Sequence, residues 1–124
     1  MIDEEIKSKI KYLFSEKKYI QVIKEVEEFT DPQERPSGLI NLLGISYYLK
    51  KNPTKEDYYK SLNCFEISFI KEKNSIHGLN AIKNLVIVAI KSNYISEEFK
   101  IFLTKSKKLY SEAETFFGDN NEFL

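Results

Sequence analysis

Few residues in this chain are equipped for chemistry, and their spacing says of what kind. His77 is the only histidine, and Ser75, two places before it, invites a nucleophile activated by an imidazole. A lone histidine at the start of a helix is more simply a solvated or capping group. Cys64, the only cysteine, stands beside Phe65 in a helical stretch where a small apolar residue would serve, so it reads as packing rather than as a thiolate. One Cys and one His cannot supply the three or four ligands of a zinc site. Glu25, Glu27 and Glu28 cluster, but they read as the solvated face of a helix, and no Asp-rich calcium loop accompanies them. None of the four glycines falls in a GxGxxG or Walker-type arrangement, so no nucleotide cradle is expected. The residue types point away from an enzyme and imply neither cofactor nor metal. What remains is lysine, asparagine and aromatic residues on helices, which suit a binding surface.

The helices that must carry them can be read in order. Asp3, Glu4 and Glu5 open the first, where acids suit the positive end of the macrodipole, and Ile6, Ile10, Leu13 and Phe14 supply its apolar stripe. Tyr19, Val22, Ile23, Val26 and Phe29 form a second, closed by Thr30-Asp31-Pro32. Ser37, after Pro36, is the expected cap of a third, which ends at Lys50-Lys51-Asn52-Pro53. Thr54 with Asp57 three places on is expected to cap the fourth, leaving a protruding loop over 52–57. Tyr58, Tyr59, Leu62, Phe65, Phe69 and Ile70 form the apolar side of that helix. A fifth over 76–92, with Ile82, Leu85, Val86, Ala89 and Ile90, is apolar on most sides and is expected at the centre of the stack. Ser96 with Glu97 and Glu98 caps a sixth, lined by Phe99, Phe102, Leu103, Leu109, Tyr110 and Phe117 and stopped by Gly118.

Composition agrees. The 124 residues are 42 % hydrophobic and 14 % aromatic with four Gly and three Pro, which favours one well-packed helical domain over a disordered chain. Nineteen basic residues balance nineteen acidic ones, which argues against capture of nucleic acid or an anionic membrane by the whole surface. The start, Met-Ile-Asp-Glu-Glu, lacks the basic-then-apolar order of a signal peptide, and no apolar run reaches the ~18 residues of a membrane span. With no internal disulfide possible, a cytoplasmic location is expected.

The third helix also carries a family pattern. Ile40, Leu43, Gly44 and Tyr47 recur at helical spacing. A mid-helix glycine costs about 1 kcal/mol relative to alanine, a cost that a neighbouring helix fitting into the gap would offset. This order resembles the first helix of a tetratricopeptide repeat, with Ile40 in place of the usual tryptophan. Ile6 and Ile40, Ile10 and Gly44, Leu13 and Tyr47 are each 34 apart, the repeat length of that family. Tyr58, Ser61, Phe65 and Ser68 match the second helix, with serine for alanine, although the connection before it is about five residues longer than usual. The resemblance implies an all-α right-handed superhelix of about three antiparallel helix pairs over residues 1–118, followed by a tail over 119–124.

It also implies an inner concave face lined by the first helix of each pair: Lys7, Lys11 and Phe14, then Asn41, Ile45 and Tyr48, then Asn80, Lys83, Ile87 and Lys91. One subgroup of the family grips a peptide's terminal carboxylate there. Only Lys7 matches that clamp; Lys11 replaces an asparagine, Leu42 stands where another is expected, and Asn80 and Asn84 replace basic residues, so the clamp is not predicted. The expected function is a non-enzymatic adaptor holding an extended acidic or polar segment of a protein partner. A helix-mediated homodimer or a subunit of a larger assembly is the alternative, favoured by the aromatic C-terminal stretch with Phe123 and Leu124. A further alternative, an accessory module acting in trans on a bacterial transferase, follows from where similar repeats occur.

Overall fold

A computed structural model describes residues 2–73 and 75–91, together with 104, 107, 108 and 111. Five α-helices and no strand occur among them: α1 (Glu4–Ser15), α2 (Tyr19–Phe29), α3 (Ser37–Leu49), α4 (Lys55–Lys71) and α5 (Ile76–Lys91), with a single 3-10 turn at Pro32–Glu34. The sixth helix and the 119–124 tail fall outside the described residues, apart from those four positions.

Each helix end has an identifiable cause. Asp3 caps α1 by accepting the Glu5 N–H at 2.8 Å. The helix stops where Lys17 turns into the left-handed region (φ 59°), so that the Lys17 and Lys18 amides bond back to the Phe14 and Leu13 carbonyls. The exposed carbonyls at the end of α2 are collected by Arg35, which donates to the Val26 and Thr30 carbonyls at 3.3 and 3.2 Å. Thr54 and Asp57 form a full reciprocal capping box on α4.

Three expectations need correction. Ser37 does not cap α3: Pro36 holds the cap position, and Ser37, the first helical residue, is buried with its hydroxyl donating to the Ser68 carbonyl at 3.3 Å. The loop before α4 is shorter than 52–57, because the box starts the helix at Lys55 and buries Asp57. Glu25 and Glu27 are not simply solvated: Glu25 pairs with Lys9 at 2.8 Å across α1 and α2, and Glu27 accepts the Tyr47 hydroxyl. Among the described residues, α3 packs on α2, α4 and α5.

The enclosure of α3 is visible in the core. Ile40, Leu43 and Tyr47 face one cluster with Ile10, Val22, Val26 and Cys64, while Ile45 and Tyr48 pack on a second built from Leu62, Phe65, Phe69, Ile82, Leu85 and Val88. α3 packs extensively on α4 and also on α2 and α5, whereas α5 packs chiefly on α4 and α3. A helix apolar on most sides has to be enclosed, and α3 answers that description as fully as α5 does. Gly44 is a point of close approach between α3 and α4. A Cβ there would meet the Phe65 ring at 2.8 Å and Cys64 Cβ at 3.0 Å, and the Ser61 hydroxyl donates to the Gly44 carbonyl at 2.7 Å. The turn into α5 is equally tight: a Cβ on Gly78 would lie 1.9 Å from the Glu72 carbonyl oxygen.

Candidate functional groove

Between α1, α3 and α5 lies an open cavity of about 700 Å³. α1 reaches it with Lys7, Lys11 and Phe14, residues one helical turn apart and so on one face. α3 contributes Gly38, Leu39, Asn41, Leu42 and Ile45; α5 contributes His77, Asn80 and Asn84; Pro36 and Glu72 stand at its ends. Its floor is therefore apolar, with two ammonium groups on the α1 side and a row of amides opposite. Lys7 also lies 3.4 Å from Glu4, an exposed pair worth little.

The amides are fixed by packing. Asn41 is 6 % exposed, and its Nδ2 donates to the His77 carbonyl at 2.9 Å, tying α3 to the first turn of α5. Its Oδ1 is buried with no hydrogen-bond partner among the described residues, and exchanging N and O would set two acceptors face to face, so the orphan is the acceptor. Asn84 donates to the Asn80 carbonyl at 2.8 Å and accepts the Tyr48 hydroxyl at 3.1 Å. His77 is exposed, its ring lying against the backbone space beside Gly38.

Six of the ten residues expected on the concave face, Lys7, Lys11, Phe14, Asn41, Ile45 and Asn80, line this one cavity. Tyr48, Lys83 and Ile87 lie elsewhere. Tyr48 turns into the second core cluster, edge-on to Phe65 at 6.3 Å, and burial raises its hydroxyl above the ordinary value. Lys83 and Ile87 line a separate cavity of about 440 Å³ with Val86, Lys107 and Ser111, on the side of α5 where the following chain returns. Lys91 is the last residue of α5, and its side chain is outside the described set. Asn80 with Asn84 and Lys83 with Ile87 are both stripes at helical spacing, so only the neighbour on each side separates these two sides of α5.

Sequence reasoning had set His77 aside as a solvated helix start and did not include Leu42 or Asn84 in the face. Asn84 follows Asn80 by one turn, so extending the amide stripe would have found it. Glu72, Pro36 and Gly38 sit at helix ends, whose approach depends on tertiary packing.

Two further titratable groups lie in the core. Cys64 is buried in the first cluster, and burial pushes its thiol up to about 12, assisted by Glu27 and opposed by Arg35. Tyr47 is also raised, first by burial and then by its bond to Glu27. No group of three or more metal-capable side chains occurs among the described residues, and no described helix is long and apolar enough to cross a membrane. Comparison with family models, with curated proteins and with solved structures finds no match to this chain.

Proposed function

We propose that this chain is a non-enzymatic interaction module of tetratricopeptide-like design, holding an extended acidic or polar segment of a partner protein in the groove between α1, α3 and α5. The observation that carries the reading is the convergence of Lys7, Lys11, Phe14, Asn41, Ile45 and Asn80, from three separate helices, on one open cavity. An apolar floor gives area, the amides suit a peptide backbone, and the two lysines favour a negatively charged ligand. The helix pairing is supported by Gly44 packing on α4 and by α3 touching α5 as well as its own partner helix.

Selection of a random linear peptide library on the immobilised chain tests this. Acidic peptides should be enriched. Lys7→Glu with Lys11→Glu should discard them and leave helicity unchanged, whereas Lys83→Glu, in the other cavity, should keep them. No enrichment, or the same peptides on the reversed-charge variant, would remove the groove from consideration.

A second reading, self-association through a helix face, draws on Ile67 and Ile70 of α4, which are 51 % and 60 % exposed. Light scattering at two concentrations separates the readings, since an unchanging monomer mass excludes the second.

A further inference from the structure

One polar atom of the groove has no partner. Asn41 lines the cavity, is 6 % exposed, and spends its Nδ2 on the His77 carbonyl at 2.9 Å, while its Oδ1 is buried and accepts from nothing among the described residues. A buried acceptor without a donor is costly, and the bond to His77 keeps the amide from turning over to hide it. Donors that line the groove are used elsewhere. Asn84 gives its Nδ2 to the Asn80 carbonyl, and Lys7 lies toward Glu4. The acceptor also stands beside a part of the wall that can move. Gly38 lies one turn before Asn41 on α3, hence on the same face, and the ring against it is that of His77, which is exposed. Swinging that imidazole outward clears this turn of α3 without displacing a helix.

The surroundings select the donor. A Lys or Arg side chain would bring a third positive charge to a cavity that already holds Lys7 and Lys11. A neutral N–H meets no such repulsion, and every residue of an extended segment except proline carries one on its backbone. We infer that Asn41 sets the register of a segment bound in the groove: its Oδ1 accepts one backbone N–H of that segment, with neighbouring apolar side chains on Leu42 and Ile45 and carboxylates toward Lys7 and Lys11. This rests on the groove being a segment-binding site and names the residue that decides how the segment lies in it. One position of the ligand therefore excludes proline, whereas its acidic positions are read by charge and accept either Asp or Glu.

Two small probes test the acceptor without any peptide. N-methylacetamide carries one amide N–H and N,N-dimethylacetamide carries none; each is titrated into the ¹⁵N-labelled chain while the side-chain amide signal of Asn41 is followed by NMR. The first probe should move that signal and the second should not. Movement by neither, or equally by both, would overturn the inference. A peptide enriched in the library selection supplies a second measurement. Replacing its backbone N–H groups one at a time by N-methyl should weaken binding about tenfold at a single position, and proline at that position should do the same. On Asn41→Leu, which fills the same space without an acceptor, that step should disappear. A flat scan on the unaltered chain, or an identical profile on Asn41→Leu, would also overturn it. Should Asn41→Leu fail to fold, the probes and the scan on the unaltered chain decide by themselves. A probe response with no peptide enriched would sink only the partner-segment reading; enriched peptides with a flat scan would sink only this one.

Discussion

On one face of α3, Gly44 lies against the Phe65 ring and Cys64 with no room for a methyl group, and the Ser61 hydroxyl reaches its carbonyl. On the face toward α1 and α5, Gly38 also meets a ring, that of His77 at 3.2 Å, yet this face stays open as a cavity. The same residue type, six positions apart in one helix, thus does two different things. Phe65 is fully buried and cannot retreat, so Gly44 sets the distance between two helices. His77 is exposed and can swing away, so Gly38 sets nothing. What a small residue means depends on whether its neighbour can move.

The closed face should fail first. Phe65→Ala removes the largest fully buried side chain between α3, α4 and α5 and should cost about 4 kcal/mol in urea unfolding. Gly44→Ala, which would add helix propensity on a free surface, should instead destabilise by about 2 kcal/mol. It should also make Cys64, now held up to about 12 by burial, reactive toward iodoacetamide; an unreactive thiol and unchanged stability would break the comparison. Asp57→Ala removes the box that starts α4 and should cost about 1 kcal/mol. Burial opposes the Asp57 charge, but the Thr54 amide, Lys50 at 2.9 Å and the Thr54 hydroxyl outweigh it and hold the carboxyl below its ordinary value. The box is therefore fully formed above the unfolded carboxyl value of about 4 and weakens as pH falls through the lower folded value. An acid-unfolding curve of Asp57→Asn should lack that component. The smallest effect belongs to the open face: Gly38→Ala should change stability by less than about 0.5 kcal/mol, because the imidazole moves aside.

Much of the architecture was legible along the chain. Local rules located all five described helices, since apolar stripes at helical spacing and caps such as Asp3 and Thr54 act within a few residues of themselves. Gly44 could be recognised as a contact point from its place between Leu43 and Tyr47. The misplaced Ser37 cap depends on α4 arriving alongside, where the Ser68 carbonyl takes the Ser37 hydroxyl. In the groove, the α1 stripe of Lys7, Lys11 and Phe14 was readable because three residues on one helix face share a side whatever the fold. For α5 the same rule leaves two sides to choose between, and Lys83 and Ile87 line a different cavity from Asn80.

The sequence alone determined which stretches are helical, which stripes are apolar and that Asp3 and Thr54 cap their helices, because these follow from contacts spanning one or two turns. Only the tertiary structure decided that α3 is enclosed, that His77 and Glu72 reach the groove, and that Asn41 ties two helices together through the His77 carbonyl. Those outcomes depend on how far apart helices sit and which side each turns inward. Distance is set at single points such as Gly44 and Gly78, where backbone meets a neighbour that cannot yield.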